Sequence, residues 1–411
     1  MKQLKILLLV AAVIFLAAYR NIEYASSMDQ KLIKENSDLT SNVSMEIDNK
    51  ADPRSYQHGM TILPRQNGTY WAIWSSSGNP PKGEMPDGNW SHDVYYSIID
   101  PKNPVIKPVT IISEPEAQEP SSAAETTDGH IIITIEDGWN VKNEVGQRFG
   151  IYDRNMKPVL PYPQMVLDGG HSGHAAASGN RFVVFYSSDW VDGGGYNNLG
   201  SGKDVLAAVY NSIGRRLFNR NIAVNDERNC WPLVAGSETG ACLLWQHFKA
   251  GQSSADLMFA ILDPANGKYI KAPVKIHSNV KFYHYSVAYV SSIKRFIVLG
   301  TGQSGKGFGY LIDNRGKMTV VNQNLPPVMR ESNLVVGISK GKPIVGMVKT
   351  PTGAAVLSVT ASEIKVKQLI KDNFQWQYCG TDGIFTDANQ LYILSLATNG
   401  MVEKRYDLKV K

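Results

Sequence analysis

A short strand pattern recurs along this chain and limits the possible folds more than any other feature of the sequence. Each clear copy is a run rich in alternating apolar residues that ends in Asp or Asn, and copies begin about every 50 residues. Five clear copies and two weaker ones cover residues 93–100, 148–153, 204–211, 256–263, 307–313, 354–365 and 401–408. A repeat of this length indicates one small structural unit that stacks against its neighbours.

Another predicted hairpin precedes each copy, so each repeat holds about four short antiparallel strands. These hairpins cover residues 58–75, 121–135, 174–187, 231–245, 285–300, 333–349 and 378–396. A single sheet of this size cannot bury both of its faces, whereas seven sheets packed radially can. The sequence therefore predicts an all-β fold, a seven-bladed β-propeller with four-stranded antiparallel blades.

The last repeat ends after three strands, near the end of the chain, and residues 43–48 remain unassigned at the front. We expect this segment to supply the missing outer strand of the last blade and to close the ring. The propeller then occupies residues 43–411. The composition agrees, because 43% hydrophobic and 19% charged residues exclude a disordered chain or a coiled coil.

The amino terminus has the pattern of an export signal. Lys2 and Lys5 precede an apolar run over residues 6–18. No good cleavage site follows, and the run is shorter than a standard span, so residues 1–25 are either a cleaved signal peptide or a retained membrane anchor. Residues 26–42 are polar and are interpreted as a tether. We expect an exported protein that is periplasmic, extracellular or anchored facing outward.

Charge and cysteine content exclude several classes of function. The net charge is +5 without a run of Lys or Arg, so nucleic acid is not expected as a partner. Three cysteines are too few for a disulfide scaffold, and Cys230, Cys242 and Cys379 are predicted to be small buried apolar residues. Phosphate-loop and zinc motifs are absent from the sequence, so we expect no cofactor and no metal. A monomer is expected.

Loop lengths predict a cleft that is open at one side of the propeller's top face. Loops on that face are long in the first three blades and short in the last three. The long loops carry four candidate substrate-binding residues: Trp90, His92, Trp139 and Trp190. Aromatic rings among polar groups suit stacking on sugars, which predicts a saccharide ligand. Alternatively, these rings fold inward and hold the loops in place.

The starts of the predicted inner strands are unusually polar and extend this candidate site. They carry His171 and, in three different blades, Arg54, Arg228 and Arg330. Guanidinium groups that converge on one point can hold a carboxylate by paired hydrogen bonds, which predicts an acidic ligand. The alternative is that each side chain ties a loop through local contacts. His171 and His174 could share a metal only if a carboxylate joined them.

The strand, turn and strand of residues 93–113 resemble the repeat of the BNR or sialidase-like β-propeller superfamily. The Asp-box of that superfamily, Ser-x-Asp-x-Gly-x-Thr-Trp, is absent from every blade. The resemblance implies a group that includes sialidases, other glycosidases, lectins and propeller polysaccharide lyases. The three arginines resemble a sialidase triad only in their blade positions, so sialidase activity is not inferred.

These observations favour an exported lyase that cleaves an acidic, uronate-containing polysaccharide by β-elimination. Elimination requires a cation at the carboxylate, a base for the C5 proton and an acid at the leaving oxygen. We assign to Arg228 the neutralisation of the substrate carboxylate, and to His174 and Tyr196 the base and acid roles. A glycosidase is less favoured, because no spacing pairs two carboxyl groups. The alternative is a non-catalytic, membrane-tethered propeller that binds a polysaccharide or a protein in envelope assembly.

Overall fold

This computed structural model describes residues 42–43, 59–76, 93–114, 118–137, 145–191, 201–248, 254–330, 332–372, 380–397 and 400–409. These residues belong to one compact unit. The predicted export segment and tether up to residue 41, and Cys379, lie outside the described residues. Within the described ranges there are strands, turns and two short 3-10 helices at Gln66–Gly68 and Ser291–Ile293, and no helix is long and apolar enough to cross a membrane.

Strand β1 (Asn42–Val43) precedes three four-stranded antiparallel sheets. Sheet 1 consists of β2 (Thr61–Pro64), β3 (Tyr70–Ser76), β4 (Asp93–Ile99) and β5 (Val109–Ile112). Sheet 2 consists of β6 (Gln118–Glu125), β7 (Ile131–Asp137), β8 (Gly146–Tyr152) and β9 (Pro158–Asp168). Sheet 3 consists of β10 (His171–Ser178), β11 (Arg181–Val191), β12 (Ser201–Asn211) and β13 (Arg216–Ala223).

Sheet 4 has seven strands because its central strand serves two four-stranded halves. It contains β14 (Arg228–Gly236), β15 (Ala241–Phe248), β16 (Ala255–Leu262), β17 (Tyr269–Val290), β18 (Arg295–Gly302), β19 (Gly307–Asp313) and β20 (Met318–Leu325). Strand β17 is 22 residues long. Its first part pairs with β16, where Tyr269 lies opposite Leu262, and its last part pairs with β18, where Val290 lies opposite Arg295.

Sheets 5 and 6 complete the described fold. Sheet 5 consists of β21 (Leu334–Ser339), β22 (Lys342–Thr350), β23 (Gly353–Val359) and β24 (Ile364–Lys371). Sheet 6 consists of β25 (Thr381–Thr386), β26 (Gln390–Ala397), β27 (Gly400–Asp407) and the amino-terminal β1. Val43 lies opposite Met401, which confirms that an amino-terminal strand completes the last sheet, while residues 44–48 lie outside the described ranges.

The recurring sequence pattern corresponds to the third strand of each four-stranded unit, from β4 and β8 through to β27. The Asp that ends this pattern has a structural role in the turn that follows. The Oδ1 atom of Asp153 accepts a hydrogen bond from the N–H of Asn155 (2.7 Å), and Asp313 does the same for Arg315 (2.9 Å). Because an Asp side chain bonded two residues ahead stabilises a turn, it ends the strand and starts the next hairpin.

Apolar cores lie between neighbouring sheets. Between sheets 1 and 2, for example, Ile73 and Ile112 pack in one cluster with Ile133 and Tyr152. Cys230 and Cys242 are fully buried and form no disulfide, which confirms the predicted small apolar role for these two residues. The innermost strands contact one another in sequence, namely β2, β6, β10, β14, the second part of β17, β21 and β25, and β25 in turn contacts β2.

The pairing of β1 with β27 gives a testable expectation for truncated chains. Deletion through Asp48 removes β1 and exposes the edge of β27, so we expect a lower melting temperature than for the full chain. Deletion through Thr40 leaves β1 in place and serves as the matched control. Differential scanning calorimetry of both truncations checks this, and equal melting temperatures would contradict it.

A buried carboxyl group joins the first and last sheets. The Oδ2 atom of Asp382, in β25, accepts a hydrogen bond from the N–H of Ile62, in β2 (2.8 Å), and its Oδ1 atom accepts one from the N–H of Gly383 (2.8 Å). The Asn333 side chain adds a contact between the two sheets, because its Nδ2 donates to the carbonyl oxygens of Met60 (3.0 Å) and Thr381 (3.4 Å). Burial raises the pKa of Asp382 from its ordinary value of 3.8 to about 7.

This raised pKa predicts a pH-dependent stability. The folded state binds the Asp382 proton more tightly than the unfolded state, so the stabilisation is full below the unfolded pKa and is lost as the pH rises through about 7. The melting temperature of the wild type should therefore fall from mildly acidic to neutral pH. Asp382→Asn cannot ionise and should lack this part of the slope, even though its melting temperature is lower overall. Parallel slopes for both proteins would remove Asp382 as the cause.

Candidate ligand-binding site

The backbone is irregular near the start of three inner strands, namely β10, β14 and the second part of β17. The ladders contain register shifts between His171 and His174 in β10, between Cys230 and Leu233 in β14, and before Tyr285 in β17. At each shift one residue other than glycine has a positive φ: Ser172 (54°), Trp231 (55°) and Tyr283 (60°). This conformation is strained for large side chains, and strain of this kind clusters at functional sites.

We call these register shifts bulges, and two of them are held by side chains from the second strand of the preceding four-stranded unit. The Oε1 atom of Glu136, in β7, accepts a hydrogen bond from the N–H of Ser172 (2.6 Å). Gln246, in β15, does the same for the N–H of Tyr283 (3.0 Å). In both cases the acceptor lies near the end of the second strand of a four-stranded unit, so the fold fixes the strained backbone and a bulge can aim its side chain reproducibly.

The bulges bring side chains of three strands and one loop into a single row, which we call the mouth cluster: His174, Trp231, Tyr283 and Arg330. The His174 and Trp231 rings form a T-shaped pair with 5.9 Å between centroids, and Trp231 stacks on Tyr283 with 3.9 Å between centroids. The guanidinium carbon of Arg330 lies 5.0 Å from the centre of the Tyr283 ring. Tyr283 is buried and supports both neighbours, whereas the other three side chains are half-buried.

The hydrogen bonds of two histidines determine their tautomers. The Nδ1 atom of His174 lies 3.0 Å from the carbonyl oxygen of Ser172, and that of His284 lies 2.6 Å from the carbonyl oxygen of Phe282. A carbonyl oxygen only accepts hydrogen bonds, so Nδ1–H is the donor in both rings. In the neutral form of each ring, Nε2 then carries the lone pair, as a general base requires.

Four of the predicted site residues have described side chains, and they occupy different environments. His174 and Arg330 belong to the mouth cluster. Arg228 is half-buried at the first residue of β14, three positions before Trp231. His171 is only 1% exposed, its Nδ1 lies 2.8 Å from the Ser172 hydroxyl, and burial lowers its pKa to about 3. His171 is therefore neutral at physiological pH, and its contact with substrate stays a prediction.

The other predicted site residues lie outside the described part of the structure. These are Arg54, Trp90, His92, Trp139 and Tyr196. The backbone of Trp190 is described, in β11 opposite Gly202, but its side chain is not. The predicted cleft beside the first four blades therefore stays a prediction, and the described cluster extends from sheet 3 to the loop before sheet 5.

Sequence reasoning missed the two aromatic residues at the centre of the mouth cluster. Trp231 stands at the start of a predicted hairpin and Tyr283 two residues before the next one, and the sequence gives neither residue a role in binding. A signal was present, because both residues stand at the same point of their repeats as Ser172, two positions before His174. Aligning the repeats at their inner strands would have placed these aromatic residues beside the predicted histidine.

The sequence matches no known protein-family profile, and no curated protein matches it. Solved structures do resemble it. The BP39L lectin from Burkholderia pseudomallei has a TM-score of 0.54 at 12% identity, over 87% of this chain and 98% of the lectin. The β-propeller domain of the Trilobed protease from Pyrococcus furiosus has a TM-score of 0.44 at 10% identity, over 86% of this chain and 97% of that domain.

A polysaccharide lyase described as PL25 ulvanlyase has a TM-score of 0.44 at 12% identity, over 76% of this chain and 81% of the lyase. Together with the four-stranded sheets, the structural likeness shows that this chain is a β-propeller. The similar propellers include a lectin, a lyase and peptidases. A fold does not determine a function, so the function must be argued from the site itself.

Proposed function

We propose that this chain is an exported, carbohydrate-active propeller that binds an acidic, uronate-containing polysaccharide and cleaves it by β-elimination. The observation that carries the proposal is the mouth cluster, which sets a histidine, a stacked aromatic pair and an arginine in one row. Trp231 provides a ring for stacking on a sugar, and Arg330 provides a guanidinium group for its carboxylate.

The proposed reaction needs a base, and the tautomer of His174 meets that need. The Nε2 lone pair takes the C5 proton of the uronate, and the electrons of that C–H bond form a double bond between C4 and C5. The C4–O bond then breaks, and its oxygen takes a proton from an acid. We propose Tyr196 as that acid, and Arg228 as a second cation that, in addition to Arg330, neutralises the carboxylate and makes the C5 proton acidic.

We also infer that the propeller has seven blades. Sheet 4 supplies two of them, since β17 is long enough to be the outer strand of one and the inner strand of the next. The contact of β25 with β2 supports closure of the ring. In this arrangement the mouth cluster belongs to consecutive blades around one entrance.

The test is incubation of the full chain with a panel of acidic polysaccharides, followed by ultraviolet absorbance of the unsaturated uronate product. We expect absorbance to rise with at least one uronate polymer and with none of the neutral polymers. Binding without any product would assign the propeller to non-catalytic recognition. Absence of both binding and product across the panel would overturn the proposal.

A variant pair tests the role of Arg330 in binding. Arg330→Ala should weaken binding of an acidic oligosaccharide by about tenfold to a hundredfold, because a hydrogen bond to a charged group is lost. The matched control is Arg220→Ala, since Arg220 lies 3.9 Å above the Tyr269 ring on an outer strand, away from the inner-strand starts. Isothermal titration calorimetry measures both, and equal losses would argue against Arg330 as the carboxylate contact.

A further inference from the structure

A cleft of about 410 Å³ lies between the outer parts of sheets 1 and 2 and shares no residue with the mouth cluster. One wall is formed by β5 and by Ser113 and Glu114, which follow it. The opposite wall is formed by the start of β9 and the turn before it. Six side chains of this interface line the space: Tyr96, Tyr152, Met156, Pro158, Pro161 and Tyr162.

The cleft exists because the two outer strands differ in length. Strand β5 has four residues and β9 has eleven, so β5 covers only part of the face that β9 presents. Elsewhere side chains bridge neighbouring outer strands. Arg216 of β13 donates to the carbonyl oxygens of Met165 (2.9 Å) and Val166 (2.8 Å) on β9. Between β5 and β9, both fully described, no hydrogen bond forms such a bridge.

The aromatic floor of the cleft is held in place before any ligand binds. The Tyr162 hydroxyl donates to the Asp137 carboxylate, which also accepts a hydrogen bond from Arg148 (2.5 Å). The Tyr96 ring forms a T-shaped pair with Trp71, with 5.3 Å between centroids. Rings that are already ordered lose little side-chain entropy on binding, which favours a ligand that fills the cleft.

The two strands that border the cleft differ in their ability to accept a further strand. Strand β9 contains Pro158, Pro161 and Pro163, which have no N–H group to donate. Strand β5 is the last strand of its sheet and contains no proline. Its outer edge can therefore form backbone hydrogen bonds with an added strand, whose side chains would enter the cleft.

Opposite charges at the two ends of β5 favour one order of charges along an added strand. Lys107 precedes β5, Glu114 follows it, and both side chains are exposed. Among the described residues that line the cleft, Glu114 is the one that carries a charge. An antiparallel partner would therefore match best with a basic residue near its amino end, beside Glu114, apolar residues in the middle, and an acidic residue near its carboxyl end, beside Lys107.

We propose that β5 binds an extended peptide segment of a partner protein, antiparallel, with its apolar side chains in this cleft and with the charge order basic, apolar, acidic. This site is separate from the saccharide site and does not depend on it. The partner is recognised by its strand-forming, charge-ordered segment, and the added strand covers Pro158, Pro161 and Tyr162, which sheet 1 leaves accessible.

The test uses the full chain and two synthetic peptides of equal composition. One has lysine first, alternating valine and threonine, and glutamate last; the other has the two charges exchanged. We expect the first to bind about threefold to tenfold more tightly by fluorescence anisotropy, since two exposed ion pairs contribute modestly. The double variant K107E/E114K should reverse this preference. Its folding is checked by its melting temperature.

Filling the cleft gives an independent check. Ser113→Trp should abolish binding of the preferred peptide, whereas Ser304→Trp, at an exposed turn after β18, should not. The proposal is overturned if neither peptide binds the wild type, or if the double variant keeps the original preference. It is also overturned if Ser113→Trp weakens binding of an oligosaccharide and leaves the peptide unaffected, because the cleft would then be a sugar site.

Discussion

Replacement of His174 with alanine is expected to lower turnover of a uronate polymer by about a hundredfold to ten-thousandfold, the usual loss when a general base is removed. The physical reason lies in the ring's orientation. The Nδ1–H group is bonded to the carbonyl oxygen of Ser172, and this bond directs Nε2 away from its own backbone. Initial rates by ultraviolet absorbance measure the effect, and binding by calorimetry should remain within about tenfold of the wild type.

Two comparisons make the His174 result specific. His130→Ala removes an imidazole from the turn before β7, which lies at the other end of its sheet from the inner-strand starts, and should leave the rate unchanged. Tyr196→Phe tests the proposed acid and should cause a loss similar to that of His174→Ala. Full activity of His174→Ala would exclude this histidine from the reaction and leave it as a structural neighbour of Trp231.

The second large effect is expected on stability, at Gly236 near the end of the inner strand β14. A Cβ atom placed there would lie 1.8 Å from the carbonyl oxygen of Ala177, in the neighbouring inner strand β10. The clash is with backbone, which cannot rotate away as a side chain can. We therefore expect Gly236→Ala to lower the free energy of unfolding by about 3 kcal/mol, at the upper end of overpacking costs.

The matched control is Gly302→Ala, at the end of β18, the second strand of its four-stranded unit. Gly302 is also buried, but its added Cβ would meet its nearest atoms at 3.7 to 3.8 Å, an ordinary contact distance. Urea unfolding followed by tryptophan fluorescence compares the two variants with the wild type. If both variants unfold at the wild-type midpoint, the close approach of β10 and β14 is not a constraint on this fold.

The repeat in the sequence predicted the strands well because its chemistry is local. An Asp at the end of an alternating apolar run both terminates the strand and stabilises the next turn, as Asp153 and Asp313 show. Such contacts join residues two positions apart, so they can be read from the chain. The seven-stranded sheet was not predicted, because the length of β17 depends on two different neighbours that pair with its two parts.

The candidate site was predictable only in part. His174 and Arg330 were found because polar residues at the starts of inner strands are unusual, and the structure places both in one row. Trp231 and Tyr283 were missed because an aromatic residue in a strand normally belongs to the core. Their role depends on a positive φ, and nothing in the residue types announces that conformation.

The sequence by itself determined the alternation of strands and turns, the number of repeated units that could be counted, and the burial of residues such as Cys230 and Cys242. These properties follow from hydrophobic periodicity and from short-range hydrogen bonds. Only the tertiary structure decided which side chains meet. Trp231 stacks on Tyr283, and Asp382 bonds to Ile62, because strands that are distant in sequence approach one another in the fold, and no local pattern specifies that approach.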